Sequence, residues 1–134
     1  MGGVLLLAQM SSSGNLLEGS YTDKTLEMGT ASPHVIGYIG NGSRPPDLKE
    51  LRSKVGEGKM IWTPGVNIDS QEGVLGQRYG NPSEAVRAGS DAIIVGSGIH
   101  RSADPLSAAR EYASTSWFAL LESCLLYTSP SPRD

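Results

Sequence analysis

Thr63-Pro64-Gly65-Val66, then Leu75-Gly76-Gln77-Arg78-Tyr79, then Ala92-Ile93-Ile94-Val95-Gly96-Ser97-Gly98 read as strand, loop, helix and strand, ending in a glycine turn. Short aliphatic runs cut off by Pro64 and by Gly96 have the form of strands buried on both faces of a parallel sheet. In parallel α/β folds the C-terminal ends of the strands face the ligand. Pro64, Gln77, Tyr79 and the turn Gly96-Ser97-Gly98 are therefore expected on one rim. Glycine-rich strand ends that open into helices offer backbone N–H groups to phosphate. The stretch predicts a site for a phosphorylated small molecule.

Outward from there, four apolar runs alternate with helical segments. The runs are residues 3–10, 34–39, 60–63 and 92–95. Tyr21–Ala31 is predicted as the first helix. Pro45-Pro46-Asp47 opens a second, with Leu48, Leu51 and Val55 at helical spacing. Asn81-Pro82-Ser83-Glu84 starts a third, combining a cap residue, proline at the first position and Glu three after the cap. Ala85, Val86 and Ala88 are its packing residues and Gly89 its stop. Asp104-Pro105 opens the longest helix, with Leu106, Ala109, Ala113, Trp117 and Leu120 as its expected apolar face. The order β-α-β-α-β-α-β-α implies right-handed βαβ units. Both a flavodoxin-like sheet and half of a (β/α)8 barrel satisfy it. Residues 125–134, with Ser129-Pro130-Ser131-Pro132 among them, have neither periodicity and are expected to be a disordered tail.

The 134 residues bound the chain to one domain. Eleven basic against fourteen acidic residues give a net charge of −3, with no basic stripe, which argues against nucleic-acid binding. A single cysteine, Cys124, allows no internal disulfide, so a reducing, cytoplasmic setting is expected. His34, His100 and Cys124 lie too far apart in sequence to suggest a metal site. The apolar stretch Val4-Leu5-Leu6-Leu7-Ala8 is far short of the roughly 20 residues of a membrane span and reads as a strand. Asn41-Gly42-Ser43 matches a glycosylation sequon but reads as a loop. His100 reads as an exposed loop residue, and Trp62 and Trp117 as packing residues.

Several segments, taken in order, resemble the orotidine 5′-phosphate decarboxylase family. They are Leu5-Leu6-Leu7-Ala8-Gln9-Met10-Ser11-Ser12-Ser13-Gly14-Asn15-Leu16, Gly19-Ser20-Tyr21-Thr22, Val35-Ile36-Gly37-Tyr38-Ile39, Thr63-Pro64-Gly65-Val66, Leu75-Gly76-Gln77-Arg78-Tyr79 and Gly89-Ser90-Asp91-Ala92-Ile93-Ile94-Val95-Gly96. The spacing from Pro64 to Gln77 and Tyr79 is similar to the eukaryotic type.

The resemblance implies an α/β fold, the second half (strands five to eight) of a (β/α)8 barrel over residues 1–123, with 124–134 outside it. It implies a carboxy-lyase that converts orotidine 5′-phosphate to UMP and CO2 without a cofactor, and a homodimer for the full-length protein. By the same resemblance Ser11 would hydrogen-bond the pyrimidine ring and Pro64 would begin the loop that closes over the ligand. Gln77 and Tyr79 would grip the phosphate, with Gly96 and Ser97 completing the phosphate corner. Taken singly, Ser11, Gln77 and Tyr79 are unremarkable polar residues at strand exits; their shared register carries the assignment.

Three positions depart from the family pattern. Ser97 stands where the family has an arginine that pairs with phosphate, and Arg101, four residues on, is expected to reach back. Gln9 stands where glutamate is usual. Residues 67–72 form a variant insert. The family's Lys-x-Asp-x-x-Asp segment has no counterpart here: Asp23-Lys24 and Asp47-Leu48-Lys49-Glu50 hold the residue types but open ordinary helices. The chain alone is therefore expected to be inactive. The alternatives are a ribulose-phosphate-type isomerase or aldolase, and a non-catalytic phosphate-binding fragment.

Overall fold

The computed structural model describes residues 2–69 and 80–128, with side chains to Leu125. Strands β1 (Val4–Leu7), β2 (Val35–Ile39), β3 (Met60–Thr63) and β4 (Ala92–Ile93) alternate with helices α1 (Tyr21–Ala31), α2 (Pro45–Val55), α3 (Pro82–Arg87), α4 (Ser97–His100) and α5 (Pro105–Thr128). Local chemistry sets the helix starts. Pro45 and Pro46 occupy the first turn of α2, where a missing N–H costs nothing. The Asn81 side chain accepts from the Ser83 N–H at 2.8 Å, capping α3 behind Pro82.

All strand pairs are parallel and the order is β1-β2-β3-β4. A flavodoxin-like sheet reverses direction after its first crossover, so this order excludes it. Strands laid down one beside the next by right-handed crossovers put every helix on the same face. The architecture is part of a (β/α)8 barrel.

Register sorts the side chains. Leu6 pairs with Tyr38, and Tyr38 with Ile61; Thr63 pairs with Ile93 one pleat further. These point toward the helices, and Tyr38 and Ile61 join Leu48, Leu51, Ala85 and Ala88 in the core. The opposite row, Leu7, Ile39, Trp62 and Ala92, faces away from the helices, toward what would be the barrel interior.

That second face corrects the expectation of strands buried on both sides. Leu7, Met60 and Ile94 are exposed. A strand is covered on its inner face only when the sheet closes, and four strands do not close. β4 also ends at Ile93 rather than Val95, although the Ile94 N–H still donates to the Thr63 carbonyl at 2.9 Å.

Helix α5 carries a second correction. Its buried side is Tyr112 and Ala119, whereas Leu106, Trp117 and Leu120 of the expected stripe are exposed. Trp117, at 59% exposure, is not a packing residue of this chain. The helix also continues to Thr128, past the point where the sequence reads as an irregular tail; residues 129–134 lie outside the described residues. Among the described residues no helix is long and apolar enough to cross a membrane.

Candidate functional site

Because all four strands run the same way, their C-terminal ends share one rim. Ser11 follows β1, Asn41 follows β2, Pro64 follows β3, and Gly96 follows β4. Backbone hydrogen bonds extend the ladder into these loops. The N–H groups of Ala8 and Gln9 both reach the Ile39 carbonyl at 3.1 Å, Gly40 donates to Trp62 at 2.9 Å, and Gly42 donates to Pro64 at 3.1 Å. The loops are held to one another as well as to their own strands.

Ser11 is half-buried beside a cleft of about 190 Å³ that it shares with Asn41, Ser43 and Arg44 from the loop after β2. Buried Asn41 is locked in that loop. Its Oδ1 accepts from the Ser43 N–H at 3.0 Å and from the Ser43 hydroxyl at 2.6 Å. This asparagine is spent on an internal turn, in keeping with the loop reading of Asn41-Gly42-Ser43.

Gln9 joins the two loops. Its Oε1 accepts from the Asn41 N–H at 2.9 Å and its Nε2 donates to the Asp47 carbonyl at 3.0 Å. The amide supplies both an acceptor and a donor. The glutamate that the family pattern favours would supply only acceptors when ionised.

The corner after β3 is built by close backbone approach. Gly65 has φ +76°, the left-handed turn that Pro64-Gly65 leads one to expect. Gly80 donates to the Gly65 carbonyl and accepts from the Asn67 N–H, both at 2.8 Å. A side chain on Gly80 would strike the Gly42 carbonyl. Gln77 and Tyr79, expected on the same rim, lie outside the described residues.

After β4, Gly96 caps the one-turn helix α4, its carbonyl accepting from Ile99 at 3.0 Å and His100 at 3.1 Å. Ser97, half-buried, is the first residue of that turn. Arg101, exposed, donates its backbone N–H to the Ser97 carbonyl at 3.1 Å, so the two residues lie one turn apart. His100 is exposed, as expected, but it is the last residue of α4 rather than a loop residue.

One residue that ties these loops together is not evident in the sequence. Tyr112 of α5 is 5% exposed, and its hydroxyl accepts from the Ile68 N–H at 3.2 Å and donates to Asn67 Oδ1 at 3.3 Å. The same hydroxyl covers Gly98, where a Cβ would overlap it. Tyr112 thus fixes the loop after β3 against the glycine turn after β4. Nothing in its local sequence signals this, because both contacts are long-range.

Asp23 and Asp47, which hold the residue types of the Lys/Asp segment but open ordinary helices, make surface ion pairs in keeping with that reading. Asp23 pairs with Lys54 at 2.9 Å and Asp47 with Arg44 at 3.1 Å, all at the surface.

A parallel segment whose strand tips gather small polar side chains and glycine turns on one rim belongs to the class of (β/α)8 proteins, whose sites lie at the C-terminal face. The profile of the orotidine 5′-phosphate decarboxylase / HUMPS family matches residues 1–112, and the chain belongs to that family. The orotidine 5′-phosphate decarboxylase of Penicillium chrysogenum is 37% identical over 120 residues, covering 89% of this chain and 43% of the relative. That of Coccidioides immitis is 38% identical over 122 residues, covering 90% and 44%. The crystal structure of orotidine 5′-phosphate decarboxylase from Pyrococcus horikoshii superposes with a TM-score of 0.70 at 29% identity, over 87% of this chain and 51% of that one. The Sulfolobus solfataricus structure, at 24% identity and a TM-score of 0.67, supports the fold. The chain therefore spans less than half the length of these curated relatives.

Proposed function

We propose that this chain is the phosphate-holding portion, strands five to eight, of an orotidine 5′-phosphate decarboxylase, the carboxy-lyase that forms UMP and CO2 in pyrimidine synthesis. The observation that carries the reading is the shared rim. Ser11, Pro64 and the Gly96-Ser97 turn follow three parallel strands in sequential order, in a chain of the decarboxylase family.

In this reading the Ser11 hydroxyl, able both to donate and to accept, meets the imide edge of the pyrimidine. Pro64 begins the closing loop. Gln77 and Tyr79 hold the phosphate with uncharged donors, and the Gly96-Ser97 turn completes the corner. Phosphate binding drives closure, so that binding energy from a non-reacting group supports the transition state. Loss of CO2 leaves a carbanion at C6 of the ring, which needs electrostatic stabilisation and a proton. The Lys/Asp groups for that step would come from a segment with no counterpart in these 134 residues. The ligand is a small molecule, with neither nucleic acid nor membrane involved, and the full-length protein is a cytoplasmic homodimer.

Following the absorbance of orotidine 5′-phosphate tests the reading. A full-length protein containing this chain is expected to turn it over and the isolated 134-residue chain is not. Turnover by the isolated chain overturns the division of labour; no turnover by an intact, folded full-length protein overturns the assignment.

A further inference from the structure

We propose that Tyr112 is a positioning residue for the phosphate: its hydroxyl sets where the loop after β3 stands relative to the glycine turn after β4. The inference rests on the decarboxylase reading, which places the phosphate at that turn. It goes beyond that reading by naming a residue of the helix layer that holds the corner through two loops rather than by touching the ligand.

The two sides of the corner belong to different βα units. The loop after β3 is tied at its root, where Gly80 donates to the Gly65 carbonyl and accepts from the Asn67 N–H, both at 2.8 Å. The Tyr112 bonds land where that tie ends. Its hydroxyl accepts from the Ile68 N–H at 3.2 Å and donates to Asn67 Oδ1 at 3.3 Å. The same Oδ1 accepts from the Asp69 N–H at 3.0 Å, so the asparagine side chain is turned onto its own loop. The turn after β4 meets the phenol oxygen at Gly98, where any Cβ would overlap it.

Filling this space does not require a hydroxyl. Helix α5 packs on α3 and α4, and Tyr112 is among its buried residues. A phenylalanine ring would bury the same apolar surface. A buried phenol must also find hydrogen-bond partners, and the two it finds here lie 44 and 45 residues away, side by side in one loop. One oxygen atom therefore fixes the spacing between that loop and the glycine turn. Groups that hold a reactant tolerate little displacement: a shift of about 1 Å caused by a distant change can cost about 100-fold in rate. The proposed reaction draws on phosphate binding energy, so an error at this corner is felt in both binding and turnover.

The test uses a full-length protein containing this chain, with orotidine 5′-phosphate as substrate and UMP and uridine as competing inhibitors. Tyr112→Phe keeps the ring. It should weaken UMP inhibition and lower kcat/KM by about 10- to 100-fold, whereas uridine, which lacks the phosphate, should inhibit parent and variant equally. Asn67→Ala removes one partner of the hydroxyl, and its effect on UMP should not add to that of Tyr112→Phe. Arg52→Ala is the control for lost stability: it breaks bonds to the Gly89 carbonyl, away from the rim, and should leave UMP inhibition unchanged. Unchanged UMP inhibition in Tyr112→Phe, an equal loss for uridine, full additivity with Asn67→Ala, or the same loss in Arg52→Ala would each overturn the positioning role and leave the decarboxylase reading standing. A folded parent that does not turn over orotidine 5′-phosphate would overturn that reading and this proposal with it.

Discussion

The Tyr112 hydroxyl lies directly over Gly98, so close that a Cβ there would overlap it, while the same oxygen bonds Ile68 and Asn67. Removing the hydroxyl in Tyr112→Phe forfeits both bonds, at about 0.5–1.5 kcal/mol each. Gly98→Ala inserts a methyl into a filled space, at about 1–3 kcal/mol. The two changes should not add. In the Tyr112→Phe background the methyl meets two ring carbons, at 3.0 and 3.3 Å, in place of the closer oxygen, so its cost falls. A double-mutant cycle by urea unfolding reads the coupling, and strict additivity would refute the contact.

Gln9 supplies the second prediction. Buried Asn41 depends on Gln9 Oε1 for its backbone N–H. Gln9→Leu leaves that donor unsatisfied and should cost about 1–3 kcal/mol. Gln9→Glu keeps the acceptor for the Asn41 N–H but turns a second acceptor toward the Asp47 carbonyl, which the partly exposed side chain relieves by rotating away, so it should cost less than the leucine. Urea midpoints measured at one fixed protein concentration give the ranking; a glutamate variant worse than leucine would contradict it.

The sequence carries helix starts well and helix faces poorly. Pro45, Asn81-Pro82 and Pro105 punctuate the chain through local chemistry, and the helices begin where those residues stand. α5 is apolar on more than one side, so periodicity alone does not choose between Trp117 and Tyr112; the neighbours choose. The exposure of Leu7, Met60 and Ile94 follows from where the sheet stops, which no strand encodes by itself. The shared rim was legible for Ser11, Pro64 and Gly96 because parallel order fixes it. The roles of Tyr112 and Gln9 were not, because each depends on partners 32 to 45 residues away.

Arg52 anchors the opposite end of the strands. Its Nε and Nη2 donate to the Gly89 carbonyl at 2.9 and 2.7 Å, and its Nη1 to the Gly56 and Lys59 carbonyls at 3.1 and 3.2 Å. Nη2 also pairs with Asp91, whose Oδ2 accepts from the Ile61 N–H at 2.8 Å. A lysine ammonium cannot reproduce this planar fork. Arg52→Lys should therefore cost about 1–3 kcal/mol of stability, nearly as much as Arg52→Ala, and leave phosphate affinity of a full-length protein unchanged. Rescue by lysine to within about 0.5 kcal/mol, inside the range of an ordinary surface change, would show that the fork is dispensable.

Ser97 gives the sharpest functional prediction, tested in a full-length protein. A charge-assisted bond to phosphate is worth about 1.5–3 kcal/mol, or about 10- to 150-fold in affinity. Ser97→Arg should tighten UMP binding by that amount if no cation already serves the corner. Arg101 is the competitor, one turn later at the C-cap of α4 and exposed. If it reaches back, Ser97→Arg brings no gain, and Arg101→Ala weakens UMP binding in the parent but not in Ser97→Arg. Titration calorimetry on the parent, both single variants and the double variant separates the cases. Unchanged affinity in all four would mean that the phosphate is not held at this corner at all.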